Sequence, residues 1–132
     1  DRFLLPKIVN HFRQQRTMIE LGNLDVARDF SDVRSVAQAY LRLVEQAPAG
    51  QMFNICSGHT LTLQGVLEKM GEIAGYRIQV RVNPAFVRAH EVRNLRGDPT
   101  RLRGVVGEID WIPLEKTLEW MYAATDSVLG PS

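Results

Sequence analysis

A chain of 132 residues, 45% hydrophobic and 23% charged, has the composition of one compact globular domain that can bury a real core. Its formal net charge of +1 argues against bulk attraction to nucleic acid or an anionic membrane, so any anion binding must come from local clustering. The single cysteine, Cys56, excludes an internal disulfide framework and a metal site with several thiolates, and it fits a reducing, cytoplasmic compartment.

No apolar run approaches the length of a membrane span, and no signal-peptide pattern opens the chain. The sequence begins Asp1-Arg2-Phe3-Leu4-Leu5, without Met and already inside an apolar segment, which leads us to expect a piece of a longer protein.

The first segment reads as a helix. Leu5, Ile8, Val9 and Phe12 fall on one face, with Pro6 near the first turn, where proline is tolerated. Met18-Ile19-Glu20-Leu21 has strand character and is closed by the turn signal Gly22-Asn23. After Phe30, the stripe Val33, Val36, Ala37, Tyr40, Leu41 and Val44 predicts a second helix, capped by Ser31 or Asp32 and stopped at Pro48-Ala49-Gly50. Met52 to Cys56 reads as a short buried strand ending at Ser57-Gly58.

The next helix carries Leu63, Val66, Leu67, Met70, Ile73 and Ala74, with Thr60 or Thr62 as cap and Gly75 as a left-handed stop. Ile78, Val80 and Val82 then alternate with Gln79 and Arg81, as in a half-buried strand. Asp98-Pro99 reads as a cap followed by proline at the first helical position, with Leu102, Val105 and Val106 facing inward. Trp111-Ile112-Pro113 leads into a last helix with Leu114, Leu118, Met121 and Tyr122. The mixture predicts an α/β or α+β fold.

The chemistry starts from absences. There is no glycine-rich phosphate loop, and Gly104-Val105-Val106-Gly107 is too short and apolar to be one. None of Tyr40, Tyr76 and Tyr122 has a Lys four residues later, and His11, His59 and His90 lack metal-ligand partners at helical spacing. No nucleophile elbow surrounds Ser57. This chain therefore shows no complete catalytic constellation.

Arginine supplies the positive signal. Arg77, Arg81, Arg88, Arg93, Arg96, Arg101 and Arg103 crowd one region, and a convergent subset of guanidinium groups could hold a diphosphate through paired, planar hydrogen bonds. By composition alone most of them read as a solvated basic face. Arg28 is by default a surface ion-pair partner, with Asp29 available to it or free to cap a helix, and Lys7 is an ordinary solvated lysine. Asn23 reads as a turn former. His90 and Glu91 could suggest acid–base work but read first as loop polar residues, and Trp111 as a core plug.

The order of these features carries a resemblance. Leu21-Gly22-Asn23-Leu24-Asp25-Val26-Ala27-Arg28-Asp29-Phe30, then Phe53-Asn54-Ile55-Cys56-Ser57-Gly58 before a Thr-capped helix, follow the sequence of segments in the GDP-mannose 4,6-dehydratase group of extended short-chain dehydrogenases/reductases. Arg88-Ala89-His90-Glu91-Val92 and Leu95-Arg96-Gly97-Asp98-Pro99-Thr100-Arg101-Leu102 are similar to its R-x-x-E-V … L-x-G-D stretch, and a Trp, a Pro and a Leu-Glu-Lys-Thr-Leu helix close the chain as in that group. The likeness runs from Phe3 to about Met121. Two departures stand out: Pro6 precedes Lys7 where the dehydratases carry Arg, and the stretch from Trp111 to Leu114 is short. Val26 to Val33 resembles the GDP-4-keto-6-deoxymannose reductases equally well.

The resemblance implies an α/β carboxy-terminal part of a Rossmann-like enzyme, with residues 1–132 as its nucleotide-sugar-binding domain and the Rossmann core absent. It implies NADP held mainly by that absent amino-terminal domain, and a GDP-sugar substrate. The sugar would be oxidised at C4 and lose water from C6 in a dehydratase, or receive hydride at C4 in a reductase. The proton-transfer Tyr-x-x-x-Lys pair would lie upstream, leaving no catalytic residue here.

By position, Arg28 is expected at the diphosphate or sugar, Arg88 at the diphosphate, Glu91 at the ribose hydroxyls, Leu21 (through its backbone) and Asn23 near the base, and Lys7 on a substrate-facing helix. The full-length enzyme is expected to be a homodimer or higher homo-oligomer. A UDP- or dTDP-sugar epimerase and a non-catalytic binding domain are the rival readings. If these residues exist alone, they should expose apolar surface around Phe30, Val33 and Phe53.

Overall fold

The computed structural model describes residues 3–87 and 90–124. Helix α1 (Leu4–Arg13) buries Ile8, Val9 and Phe12, the face set by the apolar spacing. Pro6 sits in its first turn, where no intrahelical partner for an N–H would exist anyway. Strand β1 (Met18–Leu21) follows and pairs in parallel with β4 (Gln79–Val82), Met18 opposite Gln79 and Leu21 opposite Val82.

Between them lie β2 (Ala27–Arg28), α2 (Val33–Gln46), β3 (Leu61–Thr62) and α3 (Leu63–Ala74). After β4 come a single 3-10 turn (Pro84–Phe86), β5 (Asn94–Leu95), α4 (Thr100–Val106) and α5 (Leu114–Ala123). A second small sheet has β2 at its centre, antiparallel to β3 and parallel to β5.

The main core joins α1, β1, α3 and α5 through Ile8, Phe12, Ile19, Leu21, Val66, Met70 and Leu118. A second, smaller core sets Ala39 of α2 against Leu102, Val106 and Ile109, with Trp111 packed against its edge. Helix ends follow their sequence signals. Thr62 Oγ1 accepts from the Gly65 amide at 3.1 Å, and Gly75 closes α3 in the left-handed region at φ 77°.

Three expectations need correction. The apolar stripe of α2 does not face this chain's core: Val33, Tyr40, Leu41 and Val44 are 60–83% exposed, and the helix instead turns Ser35 and Ala39 inward. Only small side chains suit its close approach to α4, so the larger apolar ones are left on the other side. Met52 to Cys56 is not a strand, and Met52 is 85% exposed. An extended segment becomes a strand only beside another whose backbone groups it can pair with, and none flanks this one among the described residues. Finally, α4 starts at Thr100 with Pro99 as its N-cap residue, one position later than expected, although Asp98 Oδ1 still accepts from the Thr100 amide at 2.9 Å.

Candidate functional site

Strand β2 carries Arg28 into contact with the loop before β5. One terminal nitrogen (NH1) donates to the carbonyl oxygens of Ala27 at 2.9 Å and Val92 at 2.8 Å. The other (NH2) stands 3.6 Å from Glu91 Oε1, an ion pair too long to be a hydrogen bond. Those two backbone bonds fix the guanidinium across the β2–β5 seam while leaving its second nitrogen free to turn to an anion.

Glu91 is unusual beside it. Its side chain is 18% exposed, and its Oε2 is buried without a hydrogen-bond partner among the described residues. Such an acceptor is costly when left unmet and suits a ligand's donors.

Asp29 does not act as the partner of Arg28 or as a helix cap. Its carboxylate instead accepts from Ser57 Oγ at 2.7 Å, from the Ser57 amide at 3.3 Å and from the Gly58 amide at 2.8 Å. That fastens the Ser57-Gly58 turn to the strand bearing Arg28. The neighbouring Cys56 thiol is pushed up in pKa by burial first, then by the Asp29 and Asp98 carboxylates, which keeps it protonated and unreactive.

A second group gathers at the end of β1. Lys7 Nζ donates to the Glu20 carbonyl at 2.8 Å and lies 4.9 Å from the centre of the Phe86 ring, so it is an anchored cation and not an ordinary solvated lysine. Leu21 is buried, and its carbonyl accepts from the Asn83 amide at 2.8 Å. Asn23 Oδ1 accepts from the Asp25 amide at 3.0 Å, the turn-forming role expected of it. The structure therefore joins Arg28 to Glu91, and Lys7 to the end of β1.

Arg88 lies outside the described residues. Other arginines of the basic region are spent locally: Arg81 faces Glu20 at 3.7 Å, Arg103 faces Glu108 at 3.4 Å, and Arg101 lies over the Phe53 ring. Asn83 and Phe86 bear no motif in the sequence; the nearest signal is an aromatic in the Asn83-Pro84 turn just ahead of R-x-x-E.

Two surface clefts, of about 440 and 600 Å³, lie elsewhere, and none of the described candidate residues lines either. No group of three or more His, Cys, Asp or Glu among the described residues could hold a metal ion, and no helix there is long and apolar enough to cross a membrane.

The sequence profile of the family described as GDP-mannose 4,6 dehydratase matches residues 2–121. A GDP-6-deoxy-D-mannose reductase of Pseudomonas aeruginosa is 36% identical over 104 residues, which are 79% of this chain and 34% of the reductase. A solved structure from Burkholderia cenocepacia J2315, provisionally described as an epimerase, is 51% identical with a TM-score of 0.90 over 94% of this chain and 42% of that one. The structure of RMD from P. aeruginosa complexed with NADPH is 28% identical with a TM-score of 0.85, over 93% of this chain and 41% of that one. The chain thus spans between a third and a half of the length of these relatives.

Proposed function

This chain belongs to the GDP-mannose 4,6 dehydratase family, and we propose that it forms the nucleotide-sugar-binding portion of an NADP-dependent enzyme acting on a GDP-hexose. The observation that carries the reading is the Arg28–Glu91 pair. A guanidinium fixed by two carbonyls and only loosely paired sits beside a carboxylate oxygen that meets no donor among the described residues. Diphosphate oxygens suit the first and vicinal ribose hydroxyls suit the second. Each charge-assisted hydrogen bond in such a site contributes about 1.5–3 kcal/mol. In this reading Arg88 adds a second guanidinium to the diphosphate, Asn23 and the Leu21 backbone lie near the base, and Lys7 lies beside them.

Among the described residues the parallel pair β1–β4 is joined through α2 and α3, but no glycine-rich loop follows β1, so the phosphate cradle of a dinucleotide site is not among them. The cofactor and the catalytic groups are assigned to the remainder of the longer protein, and the exposed outer face of α2 and the unpaired Met52–Cys56 segment are the surfaces suited to meet it.

Between the two activities of the group, the 36% identical reductase and the Pro6-Lys7 departure favour reduction of a 4-keto-6-deoxy sugar over dehydration. An epimerase is the second reading, favoured by the 51% identical Burkholderia structure.

Calorimetric titration of the full gene product with GDP and UDP separates these. GDP should bind, and Arg28→Ala should weaken it roughly tenfold or more. UDP binding with no response to GDP would sink the GDP-sugar reading in favour of the epimerase. Mixing the protein with GDP-mannose and NADP+, or with the 4-keto-6-deoxy sugar nucleotide and NADPH, then tells dehydratase from reductase by which mixture turns over.

A further inference from the structure

A half-exposed phenylalanine on a surface is by itself ordinary. Phe86 is 50% exposed, but its backbone is held from several sides. The Asn83 amide donates to the Leu21 carbonyl, Asn83 Oδ1 accepts from the Ala85 amide at 3.0 Å, and Asn83 Nδ2 donates to Glu20 Oε2 at 3.2 Å. The Phe86 amide closes the turn on the Asn83 carbonyl at 3.0 Å. Gly22 lies directly beneath: a Cβ there would stand 2.6 Å from the Phe86 carbonyl oxygen, so only glycine lets the turn sit this low on the end of β1.

Lys7 completes the seat. Its ammonium is over the Phe86 ring and is tied to the Glu20 carbonyl. A ring fixed in this way, with much of its surface open, loses little conformational freedom when something stacks on it.

We propose that Phe86 is the stacking wall for the base of the bound nucleotide, and that Lys7 is a positioning residue that seats the ring without touching the ligand. The proposal rests on the GDP-sugar reading above. The turn that carries Phe86 is seated on Gly22 and, through Asn83, on the Leu21 carbonyl, and Leu21 and Asn23 are the residues read above as lying near the base. Stacking is tolerant of base identity, but a purine covers more of a phenyl face than a pyrimidine does, which favours GDP over UDP.

The test is affinity for GDP in the full gene product. Phe86→Ala should weaken GDP roughly tenfold with the thermal midpoint unchanged, and Phe86→Tyr should retain affinity. Phe86→Trp should add an emission component, absent from the unmodified protein, that GDP quenches. Lys7→Met should weaken GDP severalfold alone, but add nothing in the Phe86→Ala background.

An unchanged affinity in Phe86→Ala, while Arg28→Ala loses binding, overturns the stack and leaves the GDP-sugar reading standing. So does an added emission in the Phe86→Trp variant that saturating GDP does not alter. If the unmodified protein binds no GDP, the parent reading falls and the stack falls with it.

Discussion

The Asp32 carboxylate accepts a hydrogen bond from Thr117 Oγ1 at 2.6 Å, tying the start of α2 to the first turn of α5 across 85 residues of sequence. The same carboxylate caps α2 through the Arg34 amide at 2.8 Å and forms a two-point pair with the Arg34 guanidinium at 2.9 and 2.8 Å. Arg34 in turn lies 4.6 Å over the Trp120 ring. One aspartate therefore holds a helix cap, a salt bridge and an inter-helix contact with its side chain wholly buried.

The Arg34 hydrogen bond holds the Asp32 carboxyl far below the ordinary range, against the opposing cost of burial, and Thr117 and the Arg34 amide add to the lowering. Unfolded, the group takes up its proton near pH ~4. Folded, it resists protonation until well below that. The stabilisation is therefore complete above pH ~4 and is lost as pH falls below it, toward the depressed folded value. A urea midpoint followed against pH should drop through that acid window, and Asp32→Asn should flatten the drop. At neutral pH, Asp32→Ala should cost about 2 kcal/mol, from the lost cap and the orphaned Thr117 hydroxyl.

Glu91 offers the opposite trade. Among the described residues its buried Oε2 has no donor and its other oxygen stands 3.6 Å from the Arg28 guanidinium, so the contacts described there give the free protein little. Glu91→Gln removes a poorly compensated charge and should change folding stability by no more than about 1 kcal/mol. GDP affinity should nevertheless fall roughly tenfold, because the ribose hydroxyls lose a charged acceptor. Thermal melts with and without GDP read both effects: the free midpoint stays, and the ligand-induced rise shrinks.

Gly97 is packed against Cys56 so closely that a Cβ there would stand 2.5 Å from the cysteine Cβ and nearer still to Sγ. The sulfur could swing away, but Cβ is fixed by the backbone. Gly97→Ala should therefore destabilise the β2–β5 region by roughly 1–3 kcal/mol. Cys56→Ala should fail to rescue it, whereas Cys56→Gly should recover part of the loss. Equal rescue by both would mean that the crowding is with the sulfur alone.

Periodicity found each α-helix among the described residues, because each carries an apolar stripe at helical spacing whether or not this chain covers it. It misread which face of α2 turns inward. Val33, Tyr40, Leu41 and Val44 have the spacing of a core stripe, yet the contact made within this chain uses Ser35 and Ala39, residues whose value is their small size. The two-residue strands β2, β3 and β5 were out of reach for the same reason: their pairing is decided by residues distant in sequence, and two positions hold no alternation to read. Arg28 and Glu91 were legible as types in an order. That they meet, and that Glu91 keeps an oxygen without a donor among the described residues, depends on the β2–β5 seam. Phe86 was invisible because what sets it apart is support from Gly22, Asn83 and Lys7, which no local pattern records.

The outer face of α2 gives the last expectation. Val33, Tyr40, Leu41 and Val44, with Met52 nearby in sequence, are exposed large apolar side chains on one element. Scattered singly such residues need no explanation, but a contiguous set favours association. Residues 1–132 produced alone should self-associate in a concentration-dependent way, seen by sedimentation velocity. Val44→Lys, at a position 83% exposed, should shift the distribution toward monomer without lowering the thermal midpoint. In a longer gene product that covers this face, the same substitution should lower the midpoint, because the lysine ammonium would then have to be buried. A Val44→Lys variant that is neutral in both settings would show that α2 meets no partner through this face.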